Sequence, residues 1–144
     1  MSARHSALAR ISPSVRALLA DADLADALHD VSPDEELFGP QNPPDSPLLI
    51  ISGLVRLYEP SDDERQLPRT IGWFGAGQLI ALETVDTDPG NDDEPWTLTA
   101  VAAEATQVMR LSRERLALHF AREPQLALEV IGQLAGRLHR LQLE

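Results

Sequence analysis

Lysine and cysteine are both absent from the 144-residue chain, so all 12 cationic side chains are arginine, set against 23 acidic ones for a formal charge of −11. Without cysteine there are no disulfides, thiolate metal sites or cysteine nucleophiles. The acidic balance argues against sequence-independent nucleic-acid binding, which needs a basic surface to displace counterions. It argues equally against docking on an anionic membrane. No apolar run is long enough for a secretory signal or a membrane span, and a soluble, cytoplasmic protein is expected. Catalytic signatures are missing as well: there is no Gly-x-Ser-x-Gly elbow, no phosphate loop with lysine, and no His-Glu-x-x-His. The four histidines, His5, His29, His119 and His139, fall in the leader or in predicted helices and show no metal-ligand spacing. Neither an enzyme nor a cofactor or metal site is expected.

What is present is a globular composition, with 43% hydrophobic residues. The length suits one domain with a real core. The acid is uneven. Up to Met109 there are 6 arginines against 19 acids, and beyond it 6 against 4.

Residues 1–11 read as a flexible leader, with a single domain over 12–144. Ser12 and Pro13 form a helix start, and Val15, Leu18, Leu19, Leu24, Ala27 and Leu28 recur at helical spacing until Ser32-Pro33. Short strands follow. Glu36–Phe38 precedes a rigid Gly39–Asp45 loop, and Leu48–Ile51 and Leu54–Glu59 read as a hairpin turning at Ser52-Gly53. Pro68 marks Arg65–Trp73 as an edge or bulged strand. Gln78–Leu82 follows the Gly75-Ala76-Gly77 turn, and the acidic insert Asp86–Glu94 leads to strands Thr97–Ala102 and Ala105–Leu111. Punctuation of this kind predicts an antiparallel sandwich or barrel.

Ser112 caps a helix carrying Leu116, Leu118 and Phe120, and the longest helix follows from about 124 to 144. There Ala127, Ile131, Leu134, Leu138 and Leu141 recur at spacings of 4, 3, 4 and 3. That is a heptad seam, suited to pairing with a second copy of the chain, and Gly132 and Gly136 permit close helix approach. The alternative is that the helix lies on the β-domain.

Three stretches carry a family resemblance: LLIISGLVRLYEP, RTIGWFGAGQLI and TLTAVAAEATQVMRLSRERL, followed by IGQLAGRLHRL. In this order they resemble the cyclic-nucleotide-binding sensor domain of the Crp/Fnr transcription regulators. The resemblance implies a mainly β fold with flanking helices: a small antiparallel jelly-roll barrel, an N-terminal helix and a long C-terminal dimerisation helix. In members that bind cyclic nucleotides, a Gly-Glu pair and a later Arg-Ser/Thr pair hold the ribose and phosphate. A glycine admits backbone N–H groups to the phosphate, glutamate accepts from the ribose hydroxyl, and arginine forks onto the phosphate. Here the corresponding positions are Ala81-Leu82 and Trp96-Thr97, so only Thr97 is kept, and Glu83 stands one residue late. The resemblance therefore implies a transcription-regulatory sensor domain unsuited to cyclic AMP or cyclic GMP. It leaves open an uncharged small-molecule effector beside Ala81, Leu82, Glu83, Trp96 and Thr97, or a pocket plugged by Leu82 and Trp96. In these regulators a helix-turn-helix domain follows the long helix. Since the chain ends at Glu144, DNA contact is expected only through a domain outside it. A free-standing dimeric protein-interaction module is the alternative. Haem ligation by one histidine, known in some relatives, has no specific support here.

Overall fold

A computed structural model describes residues 13, 16, 28–61, 63, 65–82 and 96–143, with side chains up to 137. Most of the leader and the predicted first helix, the acidic insert, Glu83, and the side chains of Leu138 and Leu141 lie outside these residues. From Leu28 on, the described residues form eight strands and two helices: β1 (Leu28–Val31), β2 (Glu36–Phe38), β3 (Leu48–Ser52), β4 (Leu54–Glu59), β5 (Arg69–Gly75), β6 (Leu79–Ile80), β7 (Thr99–Ala102), β8 (Thr106–Arg110), α1 (Arg113–Arg122) and α2 (Pro124–Leu143). The strands form two four-stranded antiparallel sheets, ordered β1-β8-β3-β6 and β2-β7-β4-β5. This is a two-sheet jelly roll with open edges rather than a closed barrel.

Two apolar layers hold it together, and the alternation of β3 supplies both. Ile50 turns inward with Val55, Leu57, Phe74, Ile80, Ala100, Ala102 and Val108 to fill the space between the sheets. Leu49 and Ile51 turn outward and join Leu79, Met109, Leu111, Leu116, Leu126 and Val130 beneath the helices. Side chains alternate faces along a strand, so a strand covered on both sides carries an unbroken apolar run.

Two expectations are corrected. The Leu48–Ile51 and Leu54–Glu59 strands are not a hairpin: β3 pairs with β6 and β8, whereas β4 pairs with β5 and β7. At Gly53 the chain instead crosses from one sheet to the other. Its φ is +102°, and an added Cβ would lie 2.3 Å from Thr106 Oγ1 and 2.6 Å from Thr106 Cα. Only glycine fits. The buried Thr106 hydroxyl secures the crossing, accepting from Leu54 N–H at 3.2 Å and donating to the Glu104 carbonyl at 2.8 Å. Second, Leu28 does not continue a helix. Leu28–Val31 is β1, paired with β8, and His29 consequently lies on a strand. Backbone pairing along β8 outweighs the helical spacing of a single leucine.

The other described strands and the helix starts fall within two residues of the expected bounds, but the Arg65–Trp73 strand does not: β5 begins at Arg69 and runs on into Gly75. β5 is an edge strand with a register shift opposite Leu57-Tyr58, and Pro68 stands just outside it. Ser112 is the N-cap of α1, its hydroxyl accepting from Arg115 N–H at 3.3 Å. No helix among the described residues is long and apolar enough to cross a membrane.

Candidate functional site

Strand β6 ends where the expected ligand pocket begins. Ala81 has φ +60° and is buried against the layer between the sheets. A left-handed conformation at a residue with a Cβ costs roughly 1–2 kcal/mol, and glycine would occupy it without that cost. The reversal also breaks the strand alternation: Ile80 and Ala81 both face the inter-sheet layer, and Leu82 is delivered to the layer beneath the helices.

Trp96 approaches from the other side. It is half-buried against the inter-sheet layer, edge-on to Phe38 with ring centroids 5.4 Å apart, and its indole N–H donates to the Leu98 carbonyl at 2.6 Å. Each polar need of the indole is met within its own strand approach. Thr97 is exposed. Ala81 and Trp96 thus share one layer, while Leu82 belongs to the other; Glu83 lies outside the described residues. Among the described residues two clefts, of about 400 and 380 Å³, open nearby and farther off, the first sharing Phe38 with this region. One lies between β1, β2 and the Asn42–Ser46 loop and the other at the β4–β5 tip.

Helix α2 reaches this region through side chains the seam reading passed over. Gln133 accepts from Leu79 N–H at 3.2 Å and donates to the Gly77 carbonyl at 3.3 Å. Arg137 donates to the Leu79 carbonyl and lies over the Phe74 ring, 4.4 Å from its centroid. β6 is the edge of its sheet, and these contacts cover a stretch of backbone that would otherwise be open. The sequence signal was a second helical face: buried Leu126 and Val130 continue at spacings of 3 and 4 into Gln133 and Arg137. On the flanking face Ile131 and Leu134 remain 59% and 40% exposed and Ala127 is half-buried, while Leu128, on the far side, is 61% exposed.

Among the described residues no group of three or more His, Asp or Glu is placed to hold a metal ion. Remote from this region, Glu114 is held below its usual range by its backbone N–H and the Ser112 hydroxyl.

The family model for the cyclic nucleotide-binding domain matches residues 28–122. The chain belongs to that family. Its fold is shared with solved Crp/Fnr-type regulators. Catabolite activator protein of Thermus thermophilus superposes with a TM-score of 0.63 at 22% identity, covering 95% of this chain and 60% of that one. CooA from Carboxydothermus hydrogenoformans gives 0.64 at 16%, covering 93% and 86%. The sensor domain of the regulator DNR from Pseudomonas aeruginosa gives 0.57 at 22%, covering 97% and 87%. Among curated proteins, neuropathy target esterase sws of Drosophila ananassae is 30% identical over 105 residues, 73% of this chain but 7% of that protein. The chain thus spans three-fifths of the Thermus regulator and a small fraction of the esterase. The resemblance read from the four sequence stretches holds at the level of family and fold.

Proposed function

We propose that this domain is the sensor and dimerisation module of a Crp/Fnr-type transcription regulator, and that it does not take up cyclic AMP or cyclic GMP. The observation carrying this reading is the Ala81-Leu82 corner. The backbone keeps a left-handed turn that glycine would favour, but the next side chain is a leucine packed under the helices instead of a ribose-binding carboxylate. At the second cassette position Trp96 bonds to its own strand approach, where an arginine fork would be needed. Losing a charge-assisted phosphate contact costs about 1.5–3 kcal/mol, and two anchoring charges are missing together. An effector of this region would be uncharged and apolar, entering against Trp96 and Phe38. Pairing proceeds through the exposed Ile131 and Leu134 on α2, with Ala127, Leu138 and Leu141 on the same heptad seam.

Isothermal titration at neutral pH tests the first claim: neither nucleotide binds, and micromolar affinity for either would sink it. For the second, light scattering reports a dimer for the wild type and a monomer for Ile131→Glu, which places a charge in the seam without touching either core layer. A monomeric wild type at tens of micromolar would overturn it.

A further inference from the structure

The outer face of the β2-β7-β4-β5 sheet has no covering element among the described residues, because α1 and α2 pack on the other sheet. Val55, Leu57, Phe74, Ala100 and Ala102 point inward, so the intervening Arg56, Tyr58, Trp73 and Val101 point out. Trp73 is 55% exposed, on the edge strand, directly across from Arg56. The Arg56 guanidinium is already in place. It donates through Nε and Nη2 to Thr70 Oγ1 at 2.9 and 2.7 Å and lies over the Tyr58 ring, 4.7 Å from its centroid. Among the described residues no carboxylate pairs with it.

We propose that this face docks a partner protein through a single carboxylate set beside an apolar side chain. The carboxylate meets the remaining N–H groups of Arg56, and the apolar neighbour lies against Trp73. Three observations converge on that chemistry. Arginine, tyrosine and tryptophan are the residues that dominate protein–protein hot spots. Thr70 and Tyr58 fix the fork, so little ordering is left to the binding step, and a charge-assisted pair is the strong kind. The formal charge of −11 works against a polyanion, whereas a single carboxylate at Arg56 is tolerated.

The test is selection of short random peptides on the immobilised full chain, followed by titration of the enriched peptide in solution. The expected peptides share an Asp or Glu next to an apolar residue. Replacing that carboxylate by its amide, or the chain's Arg56→Gln or Trp73→Ser, weakens binding by at least about tenfold. The Arg56→Gln and peptide-amide losses do not add, since both remove one interaction. The amide peptide needs no altered protein, so its result stands even if a variant folds poorly. Failure to enrich any peptide, a consensus without a carboxylate, or equal affinity for the acid and amide peptides overturns the proposal. So does binding of oligothymidylate that is lost in Arg56→Gln, which would assign the face to single-stranded nucleic acid.

Discussion

Gly53→Ala gives the sharpest test of how the two sheets are joined. At φ +102° an alanine occupies a region that L residues rarely enter, costing roughly 1–3 kcal/mol. Its methyl would also stand 2.3 Å from Thr106 Oγ1, 2.6 Å from Thr106 Cα and 2.7 Å from the Ala105 carbonyl oxygen. Two of these are backbone atoms, so no rotamer change relieves the clash, and forced displacement in packed surroundings adds about 1–3 kcal/mol. The sum, about 2–6 kcal/mol, is a large part of the roughly 7–20 kcal/mol expected for a domain this size. In urea titration the midpoint should fall by about 1–2 M with an unchanged slope, or the variant should fail to fold at all. Gly75→Ala is the control: it lies across from Leu54, and its Cβ would meet only the Gly53 carbonyl oxygen at 3.7 Å. It should change stability by less than about 1 kcal/mol. A Gly53→Ala protein as stable as the Gly75→Ala one would refute the crossing geometry.

Three further outcomes follow from the helices. Gln133→Ala removes two hydrogen bonds between α2 and the β6 backbone and should cost about 1–2 kcal/mol; faster hydrogen exchange at Leu79 is the signature, and unchanged exchange there would contradict the contact. Ser112→Ala removes the α1 cap and should lower stability by about 1 kcal/mol at pH 7. Because the folded-state pKa of Glu114 is depressed, its contribution is fully present above the ordinary carboxylate range and lost as pH falls through the lowered value. Thermal melts of wild type and Glu114→Gln should therefore differ at pH 7 and converge on acidification; a constant difference would contradict this.

Much of the fold was legible because glycine and proline separate its strands at short intervals, and because Ser112 and Pro124 mark where helices begin. The β3–β4 relation was not. Ser52-Gly53 has the composition of a tight turn, and the steric reason for glycine lies in Thr106, more than fifty residues away. A run apolar on both faces, such as Leu48–Ile51, also gives no period from which a partner strand can be inferred. Leu28 was misread because one leucine fits a helical stripe as well as a strand, and β8 decides between them. At the candidate site the altered cassette residues were visible as letters, but the left-handed turn at Ala81 was not. Gln133 and Arg137 escaped notice because their partners on β6 are backbone groups, and a backbone carbonyl leaves no mark in the sequence.

The double role of β3 has a consequence for any attempt to redesign the pocket. Leu49, Ile50 and Ile51 are consecutive, yet they belong alternately to the helical layer and to the space between the sheets. That strand is a party wall between two rooms. Enlarging the inter-sheet room for a new ligand by trimming Ile50 leaves the wall free to shift toward the gap, carrying Leu49 and Ile51 away from Leu126 and Val130. The seating of α2, and with it the angle at which a second copy would meet the seam, is thus set partly by side chains that never touch the helix.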